Sequence, residues 1–157
     1  MNSPPIFKWD IPNPFIERVV VAPSDVDQYG HTNNVVYVRW FEQSAWAHSK
    51  FLGLDFSDYE RIGAGCVAHR HEIDYLAPTF SNEELLVGTW VSENSGQVTM
   101  WRNYQIIRAK DAKTVARGRT RWACIDMKSG RPRMQPPEFV KAYVAVELQA
   151  AKPQLVK

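Results

Sequence analysis

Residues 24–37 read S-D-V-D-Q-Y-G-H-T-N-N-V-V-Y, and the character of the chain changes across them. On the amino side, Phe15–Ala22 (F-I-E-R-V-V-V-A) is rich in β-branched residues and predicts a strand. On the carboxy side, Asn34–Leu54 sets apolar side chains at Tyr37, Phe41 and Ala45 and at Val36, Trp40 and Ala47. That spacing predicts a helix with a wide apolar face, ending at Gly53, with Arg39, Glu42, Gln43 and Lys50 on a narrow polar stripe. The order is strand, polar loop, helix entrance. It brings carboxylates next to unpaired backbone N–H groups and the positive end of a helix dipole, a place that holds anions and polarised carbonyl oxygens. Taken singly, Asn33 or Thr32 is expected to cap the helix. Capping explains less well why Asp25, Asp27, His31, Asn33 and Asn34 crowd together. A carboxylate that activates water or attacks a carbonyl, beside N–H donors for the oxyanion, is the equipment for hydrolysing an acyl group.

Past the helix, Phe56–Ile62 reads as a short helical piece closed by Gly63 and Gly65. From Cys66 the apolar period switches from 3.6 to 2. Four strands are predicted, Cys66–Leu76, Leu85–Glu93, Val98–Ala109 and Thr114–Met127, with turns at Pro78–Glu84, Asn94–Gly96 and Lys110–Lys113. The last three form an antiparallel meander. Pro136-Pro137-Glu138 opens a final helix with Phe139, Tyr143 and Val146 on its apolar side. The predicted organisation is an extended arm over 1–14, one domain over 15–147 and a tail over 148–157. The fold class is α+β, because one helix with a wide apolar face needs a curved sheet to cover it.

Composition narrows the function. A chain of 157 residues with 45% hydrophobic residues supports a real core. A formal charge of +2 argues against a nucleic-acid binder built on bulk charge. Cys66 and Cys124 are the two cysteines, lack the C-x-x-C spacing and predict reduced, buried thiols rather than a zinc site. No apolar run approaches the ~18 residues of a membrane span. The amino terminus lacks the pattern of a secretory signal, so a cytoplasmic location is expected.

The run D-V-D-Q-Y-G-H-T-N-N-V-V-Y resembles the D-x-D-x-x-G-H-x-N-N-x-x-Y signature of hotdog-fold acyl-CoA thioesterases of the 4-hydroxybenzoyl-CoA thioesterase-like group, which includes the YbgC-type enzymes. The resemblance extends through D-Y-L-A-P at Asp74–Pro78 and C-I-D-M-K-S-G-R-P at Cys124–Pro132. It implies a long helix wrapped by a five-stranded antiparallel sheet, pairing into homodimers or homotetramers. It also implies hydrolysis of an acyl-CoA, or of an acyl-carrier-protein thioester, with no metal and no cofactor.

On that resemblance Asp27 is the catalytic carboxylate, acting either as general base or as nucleophile, and Asp25 holds the loop. The oxyanion partner is a backbone N–H near Asn34. Gly30 lets the loop turn with positive φ. His31 orients water, contacts the thioester region or braces the loop. Asn33 and Tyr37 complete the substrate-binding set, Tyr37 chiefly by packing. Glu42, on the polar stripe, is a second candidate acid. Arg117, Arg119 and Arg121 alternate along the last strand and are the candidate contacts for the phosphates of coenzyme A, or else a solvated or dimer-facing row. Arg102 and Arg108 on the neighbouring strand would extend that row. His69 and His71 share a strand face, and without a third ligand they are expected to pack against the helix. Two alternatives compete. A hotdog hydratase needs D-x-N-P-x-H, and Gln28-Tyr29-Gly30 stands in its middle with no proline. A non-catalytic acyl-CoA or acyl-carrier binding protein would bind without releasing thiol.

Overall fold

The computed structural model describes residues 3–146. Strand β1 (Phe15–Val20) leads through a 3-10 turn at Pro23–Asp25 to helix α1 (Asn34–Phe51) and the short helix α2 (Phe56–Ile62). Strands β2 (Ala64–Tyr75), β3 (Glu84–Asn94), β4 (Thr99–Arg108) and β5 (Thr114–Asp126) follow, and then helix α3 (Pro137–Ala142). The five strands and α2 fall within two residues of their predicted bounds, and α1 ends three residues short of Leu54. Helix α3 stops at Ala142, so Tyr143 and Val146 are not on its apolar side as predicted, and the periodicity did not announce the 3-10 turn. The five strands form one antiparallel sheet in the order β1-β3-β4-β5-β2, with Phe15 opposite Thr89 and Val20 opposite Glu84. The tail over 148–157 lies outside the described residues.

By its contacts the chain divides into two compact units. The first holds the chain up to His48 together with Ile73–Thr89 and Tyr104–Gly118. Its core stacks Phe41 of α1 on Tyr104 of β4 with ring centroids 4.3 Å apart, among the buried side chains of Val21, Leu85, Val87 and Ile106. The second unit holds Ser49–Glu72, Trp90–Asn103 and the chain from Arg119 on. There Tyr59 of α2, Phe139 and Tyr143 pack with Leu54, Val91 and Met100. The hydroxyl of Tyr143 bonds those of Ser49 and Tyr59, so burying these rings leaves no hydroxyl orphaned. Cys66 and Cys124 are free thiols, and burial pushes Cys66 up to about 12 and also raises Cys124, which makes both poor nucleophiles.

The amino-terminal arm is part of the first unit. The Gln105 side chain accepts from the Asp10 N–H and donates to the Lys8 carbonyl, and Asp10 receives a forked pair of bonds from Arg117 at 2.8 and 2.9 Å. Trp9 lies on Gly88, where an added Cβ would come within 2.4 Å of the indole ring. Gly88→Ala is therefore expected to expel Trp9 and loosen the arm, at a cost of about 1–3 kcal/mol. Limited proteolysis would show this as faster cutting ahead of β1, and an unchanged rate would mean that the arm is held without Trp9.

Two expectations about side chains fail. His69 and His71 do not pack against the helix: both are exposed on β2, which ends the sheet, and His71 Nδ1 lies 2.8 Å from Thr120 Oγ1. Alternation shows that a strand has two unlike faces, but not that either face is covered. Arg102 and Arg108 do not extend an accessible basic row, because both are buried. Arg108 donates to Asp111, to Glu83 and to the Pro78 carbonyl. Arg102 lies near the Tyr143 ring.

Candidate active site

The loop over 26–32 is a small closed hairpin. Val26 bridges Thr32 antiparallel, the Asp27 N–H donates to the His31 carbonyl at 2.8 Å, and the Gly30 N–H donates to the Asp27 carbonyl at 3.0 Å. Gly30 sits at φ 79°, as expected of the residue that lets this turn close.

Asp25 and Asp27 take different parts. The Asp25 side chain is buried, with Oδ2 accepting from the Ala22 N–H at 3.0 Å and Oδ1 paired with Arg39 at 2.6 Å. Burial alone would raise its pKa, but the Arg39 and Ala22 bonds outweigh it, and the carboxyl lies below its ordinary value of 3.8. A depressed carboxyl stabilises the fold fully above its unfolded value and loses that contribution as pH falls through the folded one. Arg39→Met is therefore expected to let this loop open at a higher pH than in wild type. Acid titration monitored at the Gly30 and His31 amides checks this, and coincident midpoints would contradict it.

Asp27 is exposed at the head of the loop. Its Oδ1 accepts from the Tyr29 N–H at 2.8 Å and the His31 N–H at 3.4 Å, and Oδ2 has no partner among the described residues. One oxygen fixes the carboxylate and the other is open to chemistry. Asn33 caps α1, with Oδ1 accepting from the Val35 N–H at 3.3 Å and its own N–H donating to the Asp25 carbonyl. The next amide, of Asn34, donates to no acceptor among the described residues.

Asn34 borders a cavity of about 260 Å³ that is also lined by His31, Thr32, Tyr37, Tyr75, Leu76, Ala77 and Pro78. Tyr37 contributes its ring while its hydroxyl bonds Thr79 at 2.9 Å. Thr79 in turn donates to Thr32, and the Thr32 hydroxyl and N–H both donate to the Thr79 carbonyl. This ladder pins the loop to the segment after β2. Thr79→Val is expected to strand the Tyr37 hydroxyl, while Thr32 keeps its bond to the main-chain carbonyl of residue 79, and to cost about 2 kcal/mol. Chemical denaturation measures it, and a change near zero would show that water or a rotated hydroxyl replaces the bond.

Of the predicted residues the cavity gathers His31, Asn34 and Tyr37, while Asp27, Gly30 and Asn33 belong to the loop and cap beside it. His31 packs edge-on against Phe80. Glu42 is exposed on α1 and takes no part. The arginine row is not a uniform charged strip. Arg117 is paired with Asp10, while Arg119 is paired with Glu72 and stacked over Trp101. Arg121 has no partner among the described residues and borders a separate cavity of about 180 Å³ with Glu93, Ser95, Thr99 and Trp101. Tyr75, Leu76 and Thr79 were missed as site residues. The sequence signal for Tyr75 and Leu76 was the D-Y-L-A-P run, which reads locally as a strand end and a turn, and Thr79 directly follows it.

The thioesterase-like superfamily matches residues 21–144. The chain belongs to the thioesterase-like superfamily. As a superfamily member it is a thioester hydrolase of α+β hotdog fold. Among curated proteins it is similar to YneP of Bacillus subtilis (strain 168), provisionally named an acyl-CoA thioesterase, at 26% identity over 81% of this chain and 93% of that one. Among solved structures it is similar to Slr0204, a 1,4-dihydroxy-2-naphthoyl-CoA thioesterase from Synechocystis, with a TM-score of 0.76 and 19% identity over 90% of this chain and 100% of that one. The DHNA-CoA thioesterase of Staphylococcus aureus also has a TM-score of 0.76, with 24% identity over 86% of this chain and 90% of that one. Among the described residues no helix is long and apolar enough to cross a membrane.

Proposed function

We propose that this thioesterase-superfamily chain hydrolyses an acyl-CoA thioester at the cavity beside the amino end of α1, with Asp27 as its catalytic carboxylate. The observation that carries this is Asn34, a residue of the cavity wall whose N–H has no acceptor among the described residues, next to a loop whose carboxylate keeps one oxygen unengaged. The thioester carbonyl oxygen would sit at the helix N–H groups. As a base, Asp27 removes a proton from water while the hydroxide adds to the carbonyl carbon, and the tetrahedral oxyanion then collapses and expels the coenzyme A thiolate. As a nucleophile, Asp27 expels the thiolate itself, and water cleaves the resulting mixed anhydride. Both routes give the free acid and the thiol. His31 lines the thioester region in either case.

The coenzyme A carrier is supported by the names of YneP and of the two solved thioesterases. Of the three expected phosphate contacts, Arg121 has the uncommitted guanidinium. A single functional domain over 15–147 accords with the superfamily match. A homodimer or homotetramer is supported by large apolar side chains left exposed near the loop, Tyr29 at 87% and Val35 at 69%. The test is thiol release from short, long and aromatic acyl-CoAs and from one acyl-carrier-protein thioester. Release of coenzyme A with equal free acid is expected. Tight acyl-CoA binding without thiol would replace the enzyme by a binding protein.

A further inference from the structure

Tyr75 closes β2, and its hydroxyl donates to the main-chain carbonyl of Asn34 at 3.0 Å. The ring stands edge-on to Tyr37, with centroids 5.1 Å apart, and is 46% exposed on the wall of the cavity. The bond is not required for burial, since the tyrosine is half open to solvent. It joins the end of β2 to the carbonyl of Asn34, the residue whose own N–H is the open donor.

The carbonyl that Tyr75 holds belongs to the peptide whose N–H is that of Val35. That N–H is engaged only by Asn33 Oδ1, at 3.3 Å, and the N–H before it, of Asn34, is open. A donor on the carbonyl side pulls electron density from the amide and strengthens the Val35 N–H that Asn33 Oδ1 holds, as in any hydrogen-bonded chain. It also holds the Asn34 carbonyl, and with it the residue whose N–H is open, and oxyanion donors are effective only when already aimed. Burial raises the Tyr75 hydroxyl above its ordinary value of 10.0, so it stays a donor through the neutral range.

We propose that Tyr75 is a positioning residue for the oxyanion site, its hydroxyl orienting and polarising the Asn34–Val35 peptide at the entrance of α1. The proposal rests on the reading above, in which the thioester carbonyl docks at these amides. Tyr75 acts through the peptide and takes no proton from substrate.

Tyr75→Phe keeps the ring, its packing on Tyr37 and the cavity wall, and removes only the donor. It is expected to lower kcat for acyl-CoA hydrolysis about tenfold, with KM within about twofold of wild type. The Val35 amide proton should move upfield in the ¹H–¹⁵N spectrum, with the Tyr37 and Thr79 resonances in place. A lining role would raise KM and spare kcat, and that result overturns the proposal, as does an unmoved Val35 resonance. A wild type that hydrolyses no thioester removes the underlying reading instead. That outcome differs from an active wild type matched in rate by Tyr75→Phe, which refutes the role of Tyr75 alone.

Discussion

Asp27→Asn is expected to lower the rate of thioester hydrolysis by at least about 10³-fold, with the fold unchanged. The asparagine oxygen can still accept from the Tyr29 and His31 amides, so the hairpin that these bonds hold should survive. What is lost is a group able to take a proton or form an anhydride. Steady-state thiol release checks the rate, and the amide spectrum of the loop checks the fold. A variant within about tenfold of wild type would move the chemistry to another group. Glu42 would be the next acid to test, although it is exposed. Single turnovers of wild type in H₂¹⁸O test the nucleophilic route: label found first in Asp27 means an anhydride cleaved at the Asp27 carboxyl carbon, which a base cannot give.

The largest expected effect on stability comes from Arg108→Met. Arg108 and Glu83 have side chains only 10% and 8% exposed, and Arg108 also holds the Pro78 carbonyl at the cavity wall. Removing the guanidinium leaves Glu83 with the Phe80 N–H and the exposed Lys110 as partners. Breaking such a buried pair costs about 3 kcal/mol, or a Tm lower by about 6–12 °C for a chain of this size. The pH dependence has a definite sign. Burial favours the neutral form of Glu83, but Lys110, the Phe80 N–H and Arg108 together hold its carboxyl below its ordinary value. Its contribution is present above the unfolded value and disappears as pH falls through the folded one. Without Arg108 the folded value rises, so the acid transition should begin at a higher pH. Thermal melts of both proteins across the acid range would show it. Equal melting temperatures would mean that Lys110 alone satisfies Glu83.

What was legible in the chain was local. The apolar spacing around Tyr37, Phe41 and Ala45 located α1, and the alternation after Cys66 located the strands, because both periods follow from backbone geometry. The roles of Gly30 in the turn and of Asp25 as a brace could be read for the same reason. What could not be read depends on which segments meet. That β2 ends the sheet, leaving His69 and His71 uncovered, is a fact of strand order. Partners for Arg117 and Arg119 come from Asp10 and Glu72, 107 and 47 residues away. The Tyr75 bond to Asn34 spans 41 residues, and no local pattern announces it. The D-Y-L-A-P resemblance marked the segment without giving its purpose.

The thioester is expected to dock at the amino end of α1. The most direct test is a titration of the isotopically labelled protein with a non-hydrolysable thioether analogue of an acyl-CoA, followed by amide shifts. The largest changes are expected at His31, Asn34, Val35, Leu76 and Ala77, saturating together. An analogue that binds while these amides stay still, in a protein that nevertheless releases thiol from acyl-CoA, would place the chemistry elsewhere and contradict it.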